Sequence, residues 1–576
     1  MNPELLVAHF NRISDAPDAI SHLRRFVLDL AVRGKLVEQD SKDEHASLLL
    51  RTIQATKARL VKNGNIRKQA AQRDINARSC PFPLPPGWIW TSLGDVIHLL
   101  SGQHLQPGEY SGHKDGGLPY ITGPADFSKN GLVITRQALV KKAIAKKGQI
   151  LLTVKGAGVG KTAICDLPEV AISRQLMAMT AIGWSQRFLL LTTHQLATAL
   201  IESARSLIPG ISREDVDQFM FSLPPLAEQD RIVAKVDELM ALCDGLEAAQ
   251  RERDNRRDRL SAASLHRLNN AVNAEALRSH ASFYLQHLPR LTARTLSSQQ
   301  LRETIRSLAV RGLLLHQDSV DEPSSELLKR IENEKATLIK QGLLRKEKPL
   351  SPIDEDRVPF VIPKGWRWAK IGVCSLLTEY GTSVRSDASA DGVPVLAMGD
   401  IQDGRVILHE RKKVPSEIDD LPQLFLKRFD LLYNRTNSAE LVGKTGIFLG
   451  DDDMYTFASY LIRIRFLNNL ISPLYVNLAM NAPYFRVTQI VPELQQQCGQ
   501  ANVNGTKLRN MLIPLPPLRE QHRIVAKVDE LMAICNSLES QIEDVQAKAS
   551  SLLESVLFNS LNHTESVGRG QLAIHA

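Results

Sequence analysis

The sequence predicts an α/β (α+β) protein in which two mixed, strand-rich domains are carried by long helices, with an internal two-fold repeat. A block of 25 residues occurs twice, as Leu223–Glu247 and Leu515–Glu539, and 20 of its 25 positions are identical. Before each copy lies a dissimilar segment of short apolar runs bounded by glycine, asparagine and aspartate, a pattern typical of strands and turns. Two units of about 290 residues are too long and too few for a solenoid, so a pseudo-dimer in one chain is expected.

A second repeated block precedes each dissimilar segment. LAVRGKLVEQDSKDE begins at Leu30 and LAVRGLLLHQDSVDE begins at Leu308. Apolar residues before each block stand at helix spacing and stop at a glycine, which commonly ends a helix. Each dissimilar segment then opens with Gly-Trp-x-Trp. The predicted organisation is a helical region, a first variable domain, a central helical region, a second variable domain and a C-terminal helix with its tail: 1–81, 82–223, 224–358, 359–515 and 516–576.

The 25-residue block starts a long helix with a coiled-coil seam. From Ile524 to Val556, apolar residues alternate at spacings of four and three, which is an a/d pattern. The first copy keeps this phase from Ile232, becomes polar in QRERDNRRDRL and resumes at Leu260. At about 1.5 Å per residue the second seam spans about 48 Å, so the helix must bridge domains. The predicted seam residues are Ile232, Val236, Leu239, Leu246, Ile524, Val528, Leu531, Leu538, Ile542, Val545 and Leu552.

Composition and charge favour a nucleic-acid partner in a reducing compartment. Lys and Arg total 71 against 63 Asp and Glu, a net charge of +8 that suits a polyanion. No run of eighteen apolar residues exists, and the N-terminus lacks the pattern of a secretion signal, so no membrane association is expected. The six cysteines are far apart and include no CxxC, which predicts neither structural zinc nor disulfides and fits the cytoplasm.

The sequence GVGKT at 158–162 resembles a phosphate-binding loop but lacks its spacing. Such a loop needs a glycine where this chain has Lys155, and the second Gly-Lys-Thr, at Gly443, has no glycine in the preceding residues NRTNSAELV. We therefore interpret both motifs as turns inside the variable domains. Amino-methyltransferase and helicase motifs are missing, and the acidic run at 451–453 is interpreted as a solvated turn. No catalytic residue and no metal site is predicted.

Polar loops of the two variable domains are the candidate DNA-binding residues. Arg, Lys, Gln and Asn side chains pair with base edges in the major groove. Each of these residues alone could be ordinary solvated surface, but a duplicated frame with unlike loops is what reading two different sequences would require. The candidates are Gln103, His104, Lys155, Lys161, Arg174 and Gln175 in the first domain, and Tyr380, Thr382, Ser383, Arg385, Asn434, Arg435, Asn437 and Lys444 in the second.

The repeated blocks resemble those of the specificity subunits of type I DNA restriction–modification enzymes. The resemblance is carried by PLPPLxEQxRIVAKVDELMALCDxLE after each variable domain, LAVRGKLV before it and Gly-Trp-x-Trp at its opening. It implies that each variable domain is a target recognition domain for one half of a split site in double-stranded DNA. It also implies that the long helices pair as an antiparallel coiled coil and that the seam region docks two methyltransferase subunits, which restriction subunits then join. The partners would bring S-adenosylmethionine, ATP and magnesium, and this chain would bring no cofactor.

Pseudo-two-fold symmetry predicts two half-sites about one helical turn, roughly 34–36 Å, apart or a multiple of that distance. Because the variable domains differ, the site should be asymmetric. Two alternatives remain open on the sequence. Methylation or cleavage by the isolated chain would favour a self-contained restriction or modification enzyme, and failure to bind any duplex would favour a coiled-coil adaptor whose variable domains bind proteins.

Overall fold

The computed structural model describes residues 16–570, except 67–79, 113–115, 157, 204–209, 272, 292–294, 389–390, 411 and 498–499. The chain divides into two compact units. The first comprises the residues up to 252 together with those from 546 onward, and the second comprises 253–545. Cys498 and the ends of the predicted N-terminal region and C-terminal tail lie outside the described residues.

Long helices are the frame of both units, as predicted. Those of eight or more residues in the described chain are α1 Ala19–Val32, α2 Ala46–Lys62, α3 Gln186–Ser203, α4 Leu226–Asn269, α5 Ala274–Leu291, α6 Thr295–Val310, α7 Ser324–Lys340, α8 Pro473–Met480 and α9 Leu518–Gly570. Helix α4 has 44 residues and α9 has 53, so the polar stretch after residue 250 does not interrupt the first long helix. Over the described part of the chain, no helix has the length and apolarity needed to cross a bilayer.

The first variable domain is built on two sheets. Its strands are β1 Ile89–Ser92, β2 Ile97–Ser101, β3 Tyr110–Ser111, β4 Leu118–Ile121, β5 Phe127–Ser128, β6 Gly131–Leu132, β7 Gln137–Ala138, β8 Ile144–Lys146, β9 Ile150–Thr153, β10 Thr162–Ile164, β11 Glu169–Ile172, β12 Leu176–Ala181 and β13 Met220–Leu223. An antiparallel sheet has the order β10-β9-β12-β2, and a mixed sheet has the order β3-β7-β4-β11-β8. The apolar runs predicted as strands at LPYIT and QILLTV are β4 and β9.

The second variable domain repeats this plan with a larger main sheet. Its strands are β14 Arg367–Lys370, β15 Ser375–Tyr380, β16 Val393–Leu396, β17 Ile401–Gln402, β18 Arg405–Val406, β19 Lys413–Val414, β20 Leu431–Asn434, β21 Thr436–Asn437, β22 Thr445–Ile447, β23 Thr456–Phe457, β24 Leu461–Phe466, β25 Gln495–Gln497, β26 Gln500–Asn502 and β27 Leu512–Leu515. The six-stranded sheet has the order β15-β24-β20-β22-β18-β17. Strands β16 and β20 are the predicted runs VPVLAMGDI and DLLYNR.

The first and last strands of each variable domain pair with each other. Strand β1 pairs antiparallel with β13, with Ile89 opposite Leu223, and β14 pairs with β27, with Arg367 opposite Leu515. The entry and exit of each domain therefore lie side by side. This arrangement lets an unlike sequence be inserted between the same two helical blocks.

In the first unit, the two long helices α4 and α9 both pack on α1. Val27 of α1 lies in one buried cluster with Ile232 of α4, and Phe26 of α1 lies in another with Leu553 of α9. Burial of such side chains is worth about 1.5–3 kcal/mol each. The N-terminal half of α4 and the C-terminal half of α9 therefore both pack on one short helix.

The frame of the second unit repeats the arrangement with the long helices exchanged. Ile305 of α6 lies in a buried cluster with Ile524 of α9. Leu301 of the same helix packs against Leu265 and Leu268 of α4. Helix α6 thus takes the place of α1, the N-terminal half of α9 takes the place of that of α4, and the end of α4 takes the place of the end of α9. The duplication detected in the sequence is a duplication of packing.

A tryptophan–glutamate pair links each variable domain to its long helix. Trp88 Nε1 donates to Glu228 Oε2 at 2.9 Å, and Trp366 Nε1 donates to Glu520 Oε2 at the same distance. In the first unit Gln39 Nε2 also donates to the second oxygen of Glu228 at 2.7 Å. Burial raises the pKa of both glutamates even though these donors favour the ionised form. The pair explains why Gly-Trp-x-Trp and the Glu of the 25-residue block occur in both copies.

The predicted seam residues differ in how deeply they are buried. The buried or half-buried members are Ile232, Val236, Leu239, Ile524, Val528, Leu531, Leu538, Ile542 and Leu552. Leu246 is 44% exposed, Leu260 is 47% exposed and Val545 is 66% exposed, so these three do not lie in the seam.

The departure has the same position in both helices. A strict heptad continued past Cys243 and Cys535 places Arg253 and Val545 in the seam, but the inward positions are Asp254, which is 6% exposed, and Gln546, which is half-buried. Asp254 follows Cys243, and Gln546 follows Cys535, by eleven residues, which make about three complete turns of a straight helix. Residues in a strict heptad repeat instead drift around a straight helix by about 20° per heptad. Both long helices therefore follow straight-helix periodicity here and not a continuous left-handed supercoil.

Candidate nucleic-acid interface

All six candidate residues of the first variable domain lie at one edge of its antiparallel sheet. Strands β2 and β9 end at this edge, and β12 and β10 begin there, because Ser101 lies opposite Met177 and Leu152 lies opposite Thr162. The loops after β2 and β9 and the turns before β12 and β10 carry the exposed residues Gln103, His104, Lys155, Lys161, Arg174 and Gln175. Residues that are up to 72 positions apart in the sequence thus form one polar, largely basic surface.

The second variable domain presents the same edge. Strands β15 and β20 end there, and β24 and β22 begin there, because Tyr380 lies opposite Ile462 and Tyr433 lies opposite Thr445. The loops and turns at this edge carry Thr382, Ser383, Arg385, Arg435 and Lys444. The other three candidates are strand-terminal residues: Tyr380 is the last residue of β15, Asn434 the last of β20 and Asn437 the last of β21.

Not all eight residues of the second domain face solvent. Tyr380, Ser383, Arg385 and Lys444 are exposed, and Arg435 and Asn437 are half-buried. Thr382 is 7% exposed, and its hydroxyl accepts a hydrogen bond from the Val384 N–H at 3.1 Å. Asn434 is 1% exposed. These two side chains are buried, so they are not part of the exposed surface at this edge.

In both domains the loop after the edge strand, β2 or β15, starts at a glycine where a side chain would collide with backbone atoms. Gly102 N–H donates to the Leu176 carbonyl at 2.9 Å, and Gly381 N–H donates to the Leu461 carbonyl at 3.4 Å. A Cβ at Gly102 would lie 2.0 Å from the Ser173 carbonyl oxygen, and a Cβ at Gly381 would lie 2.1 Å from the Phe457 carbonyl oxygen. The close approach of two backbones fixes where the polar loop leaves the sheet.

The two Gly-Lys-Thr motifs are the same turn. Gly160 N–H donates to the Thr153 carbonyl at 2.9 Å, and Gly443 N–H donates to the Asn434 carbonyl at 2.8 Å. Both glycines have positive φ, +86° and +92°, in the region that favours glycine. A Cβ at Gly443 would lie 2.2 Å from Ile490 Cδ1. The motif therefore makes a tight turn under a packed helix and presents the following lysine to solvent, and it is no nucleotide loop.

One exposed residue of this edge was missed by sequence reasoning. Tyr460 immediately precedes β24, stands where Gln175 stands in the first domain and is 51% exposed. The variable domains do not align in sequence, so only the strand pairing shows this equivalence. Near it, the guanidinium carbon of Arg435 lies 4.6 Å from the centre of the Tyr380 ring, a stacked cation–π contact.

Within the described residues, no group of three or more His, Cys, Asp or Glu is placed to hold a metal ion. The acidic run at 451–453 is tied to its neighbours instead. Lys427 pairs with Asp453 and lies 3.8 Å from Asp452, and the Arg428 N–H donates to the Asp452 carboxylate at 2.7 Å. The interpretation of this run as a turn agrees with these contacts.

Comparison with known proteins identifies the class. The family model for the type I restriction modification DNA specificity domain matches twice, at residues 85–253 and 378–546. The type I restriction enzyme EcoAI specificity subunit of Escherichia coli is 31% identical over 551 residues, which are 90% of each chain, and the EcoEI specificity subunit of the same organism is 29% identical over 578 residues, 94% of each. A solved HsdS subunit from Thermoanaerobacter tengcongensis is 19% identical and has a TM-score of 0.38 over 83% of this chain and 97% of its own length.

Each match of the family model spans most of one variable domain and the start of the long helix that follows it. The chain belongs to the type I restriction–modification DNA specificity family. One match lies in each half of the duplicated chain.

Proposed function

We propose that each variable domain reads one half of a bipartite, asymmetric DNA site through the sheet edge described above. One observation carries this proposal: the same four strand ends meet at the same edge in both domains, while most of the side chains displayed there differ. A shared frame with unlike polar surfaces fits a shared docking mode with two different sequences. Base contacts specify, and phosphate contacts position.

The chain acts as the recognition component of its complex, and the chemistry belongs to partners. The named relatives are specificity subunits of type I restriction enzymes. By that relationship we assign this chain a double-stranded DNA partner, two methyltransferase subunits docked on the long helices, and restriction subunits that join through them. S-adenosylmethionine, ATP and magnesium would be brought by those subunits. The surface available for docking includes the exposed Leu242 and Leu246 of α4 and Ile534 of α9.

We place this complex in the cytoplasm. Cys80, Cys165, Cys243, Cys374 and Cys535 are all free thiols. Burial raises the pKa of the Cys374 thiol to about 12, so it stays protonated and unreactive. This cysteine usage supports a reducing compartment.

A domain exchange tests the proposal. Residues 82–223 are replaced by a variable domain from another specificity subunit, joined at the β1–β13 ladder, and the chain is expressed with its methyltransferase subunits. Mapping of methylated bases is expected to show a new sequence in one half of the site and the original sequence in the other. The matched exchange of 359–515 should change the opposite half. Changes in both halves after one exchange would contradict modular reading, and absence of duplex binding by the wild-type complex would favour the protein-binding adaptor.

A further inference from the structure

Backbone hydrogen bonds give a residue-by-residue correspondence between the two reading edges, although the sequences there do not align. Thr153 N–H donates to the Lys161 carbonyl at 2.8 Å, and Asn434 N–H donates to the Lys444 carbonyl at 2.9 Å. One position further on, Val154 N–H donates to the Gln175 carbonyl at 2.8 Å. The same bond in the second domain joins Arg435 N–H to the Tyr460 carbonyl at 3.1 Å.

One charged side chain is the same at equivalent places. Lys161 and Lys444 are both exposed, and both follow the positive-φ glycine of the matched turn. No salt bridge is formed by either lysine among the described residues at the salt-bridge distances found elsewhere in the chain. Their charge is therefore available to a ligand. A residue that is identical on two readers of different sequences cannot account for the difference between them.

Three neighbouring positions differ in chemical type. The strand pairing and the hydrogen bonds above equate Ser101, Val154 and Gln175 of the first domain with Tyr380, Arg435 and Tyr460 of the second. In the first domain, Ser101 is small, Val154 is apolar and only 1% exposed, and Gln175 is polar and uncharged. The second set is two aromatic rings and a guanidinium.

Two members of the second set, Tyr380 and Arg435, are held in place. The Tyr380 hydroxyl accepts a hydrogen bond from the Gly505 N–H at 2.7 Å, and Arg435 stacks on the ring at 4.6 Å. Tyr380 is nevertheless 44% exposed and Tyr460 is 51% exposed. Exposed aromatic rings stack on bases, and a guanidinium pairs bidentately with guanine in the major groove. A preorganised aromatic–guanidinium cluster suits base contact better than phosphate contact.

We propose that Lys161 and Lys444 make the same sequence-independent phosphate contact in the two half-sites, whereas the Tyr380–Arg435–Tyr460 cluster chooses the bases of the half-site read by the second domain. This inference rests on the proposed function and assigns roles within that surface. Phosphate neutralisation gives affinity without sequence information, and contacts to base edges give discrimination.

The test measures affinity and discrimination of the complete complex with its methyltransferase subunits. Three duplexes are titrated over a range of salt: the mapped site, and two versions with one half-site altered in each. Lys161→Ala and Lys444→Ala are each expected to weaken binding to all three duplexes in similar ratio. Each should also make the negative slope of log K against log salt shallower by about 0.9. Lys147 precedes β9 at the opposite end of the same sheet and is exposed, so Lys147→Ala is the matched control and should leave both quantities unchanged.

Tyr460→Gln places the first domain's residue in the second domain. We expect it to reduce discrimination against the altered second half-site by about 5- to 150-fold, the range of one mismatched base pair, with discrimination at the first half-site unchanged. A lysine variant that changes the ratio between duplexes, or a Tyr460 variant that weakens all duplexes alike, would overturn the assignment while the wild-type complex still discriminates. A wild-type complex that discriminates at neither half-site would instead reject the proposed function.

Discussion

The position of Leu553 in α9 gives a sharp test of how the long helices pack. A strict heptad counted from Ile524 places Val545 in the seam, whereas the structure leaves Val545 66% exposed and buries Leu553 to 1% exposure. Leu553 lies in one cluster with Phe26 and Leu30 of α1. The two side chains therefore predict opposite outcomes for the same kind of truncation.

Leu553→Ala removes buried methyl groups and leaves a cavity against α1, which costs about 2–5 kcal/mol for a leucine in a packed core. Val545→Ala removes only exposed surface, and such changes lie within about 0.5 kcal/mol. Since 1.4 kcal/mol is a factor of ten, the opening equilibrium of α1 should rise by about 30- to 4,000-fold in the first variant and by little in the second.

Hydrogen exchange measured by mass spectrometry on peptides covering Ala19–Val32 reads this equilibrium directly. The Leu553 variant should lose protection in α1, and the Val545 variant should resemble the wild type. Equal loss in both, or a larger loss in the Val545 variant, would refute the packing described here and restore the strict heptad.

Three further predictions concern the frame and the turns. Trp366→Phe removes the indole N–H that donates to the buried Glu520 carboxylate, which should destabilise the second unit by about 1.5–3 kcal/mol in denaturant unfolding; an unchanged midpoint would contradict it. Burial raises the pKa of Glu520, so its contribution to stability is full below the unfolded value of 4.5 and is lost as pH rises through the higher folded value; Glu520→Gln should abolish that loss in melts across pH 4–8, and an unaltered profile would argue against it. The left-handed backbone costs Gly443→Ala and Gly160→Ala alike about 1–2 kcal/mol of stability. A Cβ at Gly443 would lie 2.2 Å from Ile490, whereas one at Gly160 would lie 2.8 Å from its nearest side-chain atom, so Gly443→Ala should lower the melting temperature further than Gly160→Ala; the reverse order would be inconsistent with these turns.

The duplicated frame could be predicted from the sequence because its blocks occur twice. The matching blocks indicate the start of each long helix, and a pattern found in one half of the chain can be checked against the other half. The Gly-Lys-Thr motif is predicted to be a structural turn for the same reason, since the copy at Gly443 has no glycine in the nine residues before it. The strands around it followed from short apolar runs between turn residues.

The phase of the long helices could not be predicted in full. Apolar residues at both Leu552 and Leu553 fit either a heptad or an eleven-residue repeat, and the sequence alone gives no weight to one over the other. The partner decides: α1 offers Phe26 and Leu30, and these select Leu553. A buried Asp254 at the matching place in α4 carries no hydrophobic signal at all.

The sequence indicates which loops form the candidate interface, but it does not show which of their side chains are exposed. Polar composition identified the segments that meet at each edge, and it included Thr382 and Asn434, which tertiary packing buries. It missed Tyr460, because an aromatic residue before a strand normally indicates core and because the variable domains cannot be aligned without their strand pairing. Orientation at a sheet edge depends on long-range register, which single-sequence patterns do not contain.

The central claim is that one frame, used twice, carries two independent readers. A chain in which residues 359–515 are replaced by a second copy of 82–223 tests it most directly, by genome-wide mapping of methylated bases in cells that also express the methyltransferase subunits. Two copies of the first reader should yield a site whose halves carry the same sequence. A site that keeps its original second half, or that is no longer divided into two halves, would contradict the account.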